Sequence, residues 1–173
     1  GKGSAKKISL EIFGKTVFKF PYLPIYLSED LANNPKRHSR FLEPSISYSS
    51  DGFDLTLPYK KILSDNSDFV LGPRAIAKRG NGIEFQLNSA KDQNAFRANL
   101  IYLNSDKEFD KRYPSRKNIG DQRWGYEIKS SSDLQFGKLN VDWADFSDFH
   151  FFRDVPGESV NLNFQREEYF EQS

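Results

Sequence analysis

The chain has 173 residues, 37% of them hydrophobic and 15% aromatic, which is enough apolar side chain for one folded domain and too much for disorder or a collagen-like repeat. Its 25 Lys and Arg against 24 Asp and Glu leave a net charge of +1, so no overall field draws it onto nucleic acid or an anionic membrane surface. Cysteine is absent and there are two histidines, which excludes disulfides, thiolate catalysis, Cys-ligated zinc or iron–sulfur centres and a three-His metal site; no cofactor and no metal are expected.

Methionine is absent too, and the opening Gly1-Lys2-Gly3-Ser4-Ala5-Lys6-Lys7 is polar and glycine-containing, the composition of a flexible tether. The expectation is a tether over residues 1–7 below a removed export signal or a lipid anchor upstream of Gly1, then a single β-rich domain over 8–173. No apolar run approaches the roughly 20 residues of a spanning helix, so no membrane span is expected.

Ile8, Leu10 and Ile12 alternate, reach Gly14-Lys15, and resume with Phe18 and Phe20, which reads as a hairpin turned by Gly14. Pro21 and Pro24 remove two backbone donors, so the chain should leave the ladder there. Ser28 before Glu29, Asp30 and Leu31 predicts a short helix ended by Asn33-Asn34-Pro35. A second hairpin follows: Ile46 and Tyr48, a turn at Ser49-Ser50-Asp51-Gly52, then Phe53, Leu55 and Leu57 as far as Pro58.

Arg79-Gly80-Asn81-Gly82 predicts a further turn, before a strand through Ile83, Phe85 and Leu87. Ala95 to Leu103 fits strand or helix, and Leu100-Ile101-Tyr102-Leu103 favours a buried strand. Asn104 to Arg123 is a long charged loop with a helical turn at Asp106 to Lys111; loops of this length in compact domains are usually functional or disordered. Later strands are expected at 124–128, 134–141, 149–152 and 160–164. Turn signals about every ten residues point to a mainly β protein, or α+β with few short helices, built as an antiparallel curved sheet, sandwich or barrel.

Catalytic motifs fail on inspection. Gly14-Lys15-Thr16 lacks the earlier glycine and following helix of a phosphate-binding loop. His38 lies among cations and His150 among phenylalanines, neither beside an identifiable nucleophile. Asp65-Asn66-Ser67-Asp68 carries oxygen ligands without the frame of a calcium loop. A carboxylate-dependent hydrolase survives as a third reading only because acids are plentiful.

Charge distribution is more informative. Residues 141–173 hold eight acids and two bases, a net of −6, and the first 140 residues carry +7. Asp142-Trp143-Ala144-Asp145-Phe146-Ser147-Asp148-Phe149 interleaves carboxylates with aromatics, which suits a surface that anchors in a partner's cleft and steers toward a basic rim; the alternative places Trp143, Phe146 and Phe149 in the core with the aspartates in water. Asp142, Trp143, Asp145, Phe146, Asp148 and Phe149, with Lys111, Arg112 and Arg116 from the charged loop, are the expected partner-binding residues.

The stretch Ile8-Ser9-Leu10-Glu11-Ile12-Phe13-Gly14-Lys15-Thr16-Val17-Phe18-Lys19-Phe20-Pro21, with Tyr22 and Tyr26, resembles the opening of small exported bacterial immunity proteins, several of them lipoproteins, that neutralise toxins delivered by type VI secretion. That resemblance implies a non-catalytic periplasmic inhibitor, with a lipid anchor upstream as in several of those proteins, whose partner is a cognate toxin. The alternative is a small envelope β-barrel or sandwich that binds an apolar or sugar ligand in a cavity lined by some of its 16 phenylalanines.

Overall fold

The computed structural model of the chain describes residues 39–115 and 122–157 with their side chains, and the backbone course of 2–12, 15–26 and 116. β1 (Lys2–Ile12) and β2 (Lys15–Tyr26) pair antiparallel in a two-stranded sheet, from Lys2 opposite Tyr26 to Ile12 opposite Lys15. Strand pairing therefore begins at Lys2, inside the stretch read as a tether. It also runs through Pro21 and Pro24: Pro24 stands opposite Ser4, and the pairing passes from Lys6 opposite Tyr22 to Ile8 opposite Phe20 across Pro21. The helix expected after Ser28 and the strand expected over 160–164 lie outside the described residues.

The remaining strands form a nine-stranded antiparallel sheet that does not close into a barrel. They are β3 (Arg40–Phe41), β4 (Ser45–Ser49), β5 (Gly52–Thr56), β6 (Tyr59–Ser64), β7 (Ser67–Ile76), β8 (Gly80–Lys91), β9 (Asn94–Asn104), β10 (Gln122–Leu134) and β11 (Gly137–Phe146). The strands pair in the order β11-β10-β9-β8-β7-β5-β4, with β6 also on β7 and β3 on β6; short turns join β7 to β8, β8 to β9 and β10 to β11, and the longer stretch 105–121 joins β9 to β10. Ser50-Asp51 makes the β4–β5 turn, and Gly52 leaves it at φ +87°, a backbone region that costs glycine little.

β5 and β6 are one strand interrupted. Thr56 faces Arg74 and Tyr59 faces Leu71, the same register on β7 either side of Pro58. Between them Leu57 donates its N–H to the Pro73 carbonyl at 3.0 Å, and Pro58 accepts from the Leu42 N–H at 2.8 Å. Pro73 stands across from Leu57 in that register and Pro58 one residue on, so each strand lacks a donor here and the regular ladder lapses.

Two short helices complete the described residues: α1 (Lys107–Arg112) and α2 (Phe151–Asp154). The mainly antiparallel β reading holds. The ambiguous segment at 95–103 is strand, and the helical turn expected at 106–111 is α1, N-capped by Asp106. Two expectations are corrected. Residues 134–141 are not one strand, because β10 ends at Leu134 and β11 starts at Gly137 after a turn. Residues 149–152 do not form a strand: Asp148 accepts the His150 N–H at 2.9 Å, and Phe151 begins α2.

Candidate functional site on the polar face of the sheet

Strand alternation sends successive side chains to opposite faces, and the register shows which residues share one. On one face lie Phe69, Leu71 and Ala75 of β7, Ile83, Phe85 and Leu87 of β8, Leu100 and Tyr102 of β9, Trp124, Tyr126 and Ile128 of β10, and Leu139, Val141 and Trp143 of β11. This face is apolar yet none of those residues is buried; Trp143 is 62% and Leu139 50% exposed. Its rings meet across and along strands, Phe69 with Phe85 at 5.9 Å and Trp124 with Tyr126 at 5.7 Å. Neighbouring β4 and β5 add Tyr48 and Phe53, in contact at 5.1 Å.

The opposite face carries charge. Asp54, Asp68, Arg74, Glu84, Arg97, Asn99, Arg123, Glu127, Lys129 and Asp142 share it, and six of these are among the buried polar residues of the chain. Water-soluble sheets bury aliphatic residues and expose charge. Here the preference is inverted over most of the sheet. At one end the polar face carries an ordinary core, where Ile76, Ile101, Leu103, Phe151 and Val155 pack together with Phe152 beside them.

That end is clamped by arginines. Arg123, on β10, donates from Nε and Nη2 to both carboxylate oxygens of Asp148 at 2.9 Å and from Nη1 to Asp106 Oδ2 at 2.6 Å. Its guanidinium carbon also sits 4.3 Å from the centre of the Phe109 ring. Arg79 reaches the same Asp106 oxygen at 2.7 Å and Asp51 at 2.7 Å. The second oxygen of Asp106 accepts the N–H groups of Glu108 and Phe109, which starts α1. Arg74 spans Asp54 and Glu84 and donates to the Pro156 carbonyl, tying the stretch after α2 to the sheet. Bidentate pairs of this kind offset the cost of burying charge.

Electrostatics follow the geometry. Burial alone would raise the Asp148 carboxyl, but the hydrogen bonds and charge of Arg123, with help from Ser147 Oγ and the His150 N–H, hold it below the usual aspartate value. Burial would likewise lower the Arg79 guanidinium, and Asp51 and Asp106 outweigh it, holding it above its usual value.

At the other end of the polar face the sheet curls round an open groove of about 540 Å³, lined from Asp65 in the β6–β7 turn to Asp142 on β11. Asp68, Asn88, Arg97, Lys129 and Asp142 stand directly opposite one another on five neighbouring strands and form its floor. Lys60 pairs with Asp68 at 3.2 Å, Asn88 donates to Asp68 at 3.0 Å, and Arg97 Nε donates to Asn88 at 3.2 Å. Lys129 lies 2.7 Å from Glu127 and 3.7 Å from Asp142. Among the described residues no cluster of acids and histidines has the makings of a metal site.

The residues expected to bind a partner do not converge. Asp142 belongs to the groove, whereas Trp143 and Asp145 belong to the apolar face, with Asp145 accepting the Phe146 N–H at 2.8 Å. Phe146 is half-buried on the polar face and touches Phe149 and Phe152, with Phe149 itself 69% exposed. Asp148 is 6% exposed and faces Arg123, so it cannot serve as a solvated rim charge. Lys111 pairs with Glu108 at 2.6 Å and Arg112 reaches Asp51 at 3.4 Å on the far end of the sheet. Arg116 lies in a 3-10 turn over Pro114–Arg116. Of the described phenylalanines Phe96 lies at the groove, while Phe53, Phe136 and Phe149 are exposed outside it. Sequence reasoning missed Arg74, Arg79, Glu84, Asp106 and Arg123. Their signal was present in Ser67–Ile76, where Phe69 and Leu71 alternate with Asp68 and Arg74 in a strand bounded by turns.

No protein-family model matches the chain. Its sequence is 34% identical over 157 residues, 90% of its length, to the LPS-assembly protein LptD of Pseudomonas aeruginosa strain LESB58. The same-named proteins of Ectopseudomonas mendocina (32% over 174 residues, 99% of this chain) and Neisseria meningitidis strain H44/76 (30% over 168 residues, 94% of this chain) match along the same stretch. The chain is similar to one part of these proteins. It spans 16 to 19% of their length.

This similarity overturns the immunity-protein reading, which rested on the first hairpin alone, since relatives across at least 90% of the chain carry a different name. The type VI secretion setting and the toxin partner fall with it. The relatives are named for assembly and not for an enzyme reaction, in keeping with the non-catalytic reading and against the hydrolase. The cell-envelope location stands. The alternative of an envelope β protein that handles an apolar or sugar ligand fits better than the inhibitor.

Proposed function

We propose that the chain is a wall segment of a lipopolysaccharide-assembly protein, its apolar face toward membrane lipid and its polar face toward the glycolipid in transit. The observation that carries this reading is the continuous similarity, over 90 to 99% of the chain, to proteins named for lipopolysaccharide assembly. Physical support comes from the sheet. Among the described residues no helix is long and apolar enough to cross a membrane, and strands cross by another rule. Strands that cross a bilayer need about 9 to 11 residues each, alternate apolar-out with polar-in, and set aromatics near the interfaces. β7 to β11 have 10, 12, 11, 13 and 10 residues and the required alternation.

Lipopolysaccharide joins phosphorylated sugars to acyl chains, so a wall with one charged and one apolar face can meet the saccharide without exposing it to hydrocarbon. Among the described residues β4 and β11 are the outermost strands of the order, the positions from which such a wall would continue into further strands. The test is to deplete the intact protein in its own organism and quantify lipopolysaccharide at the cell surface. A fall in surface lipopolysaccharide is expected; an unchanged amount after full depletion contradicts the reading.

A further inference from the structure

Five strands contribute one residue each to the groove floor, Asp68, Asn88, Arg97, Lys129 and Asp142, and four of the five are charged. Asp68 is engaged by Lys60 and Asn88, and Lys129 by Glu127 and Asp142. Arg97 differs. Its guanidinium gives Nε to the Asn88 carbonyl oxygen and meets no carboxylate among the described residues, and it is exposed to the groove it lines. It also stands directly across from Lys129, and like charges opposite one another in a sheet are unfavourable unless an anion lies between them. A planar fork with its two terminal nitrogens open is suited to bidentate contact with phosphate. Around it, Asn88, Ser131 and Asn140 offer amide and hydroxyl groups of the kind that pair with sugar hydroxyls, and about 540 Å³ is of the size that holds a small ligand.

We propose that this groove is a contact site for a phosphorylated saccharide, with Arg97 on the phosphate and Asn88, Ser131 and Asn140 on the sugar. The proposal rests on the lipopolysaccharide reading and names the part of that molecule the polar face takes. The groove lies away from the Arg123 clamp, so its residues can be changed without touching the buried network.

The experiment is calorimetric titration of the intact purified protein with three probes: a bisphosphorylated glucosamine disaccharide without acyl chains, the same disaccharide without phosphates, and inorganic phosphate. The phosphorylated disaccharide is expected to bind tightest. Arg97→Gln should weaken it about tenfold, the scale of one charge-assisted hydrogen bond, and Arg97→Lys should fall between because it keeps charge without the fork. Lys91→Gln, outside the groove, should bind as the unaltered protein does. Equal binding by Arg97→Gln, equal binding of inorganic phosphate, or no binding of the phosphorylated disaccharide overturns the proposal. Loss of surface lipopolysaccharide on depletion with no probe bound would overturn this site and leave the functional reading standing. Arg97-dependent binding with no effect of depletion would do the reverse.

Discussion

At the scale of single residues, Asp148 shows how a loop acid becomes structural. Its carboxylate takes both arms of Arg123 and the His150 N–H, so it fixes α2 and the end of β10 together. Because the folded carboxyl titrates below its unfolded value of about 3.9, its contribution is complete above about pH 4 and is lost as pH falls through the lower folded value. Asp148→Asn leaves Arg123 short of a charge and should cost about 3 kcal/mol or more, and it should flatten the acid side of the stability profile; denaturant melts at pH 7 and pH 3 would show this. Gly125 acts through space. A Cβ there would sit 2.8 Å from both the Phe151 and Phe152 rings, so Gly125→Val should displace α2 and lower stability by roughly 1 to 3 kcal/mol, with protease cleavage appearing near residues 147–157.

At the scale of elements, the sheet's faces decide what each position tolerates. Leu71 is half-buried on the apolar face, and Gln86 is half-buried on the polar face. If the apolar face meets lipid, Leu71→Arg should cost about 2 to 4 kcal/mol and deplete the folded membrane form seen by heat-dependent gel mobility, while Gln86→Arg should leave that form abundant. Equal loss in both variants would argue against a lipid-facing side. The hairpin at residues 45–56 was legible because Asp-Gly turn chemistry is local, and so was the strand at 94–104, where the apolar run is short and flanked by polar turns. The strand expected at 149–152 was not legible as helix. Its conformation is set by Asp148 reaching Arg123 and by Phe151 packing on Gly125, both contacts between residues distant in the chain. The partner-binding residues misled for a related reason: alternation within β11 separates Asp142 from Trp143, and burial separates Asp148 from both.

At the scale of the whole molecule, the sheet is inverted: charge is gathered on the face that packs, and apolar surface is presented on the face that nothing in the described residues covers. An exposed apolar sheet of this breadth is an aggregation hazard in water and an ordinary wall in a bilayer. Photo-crosslinking in living cells tests this most directly, with a benzophenone amino acid at Asn88 or Ser131 on the polar face and at Leu87 or Tyr126 on the apolar face of the intact protein. Lipopolysaccharide adducts are expected from the polar-face positions and not from the apolar pair, which should capture phospholipid. Lipopolysaccharide adducts from Leu87 and Tyr126 alone, or from none of the four, would contradict it.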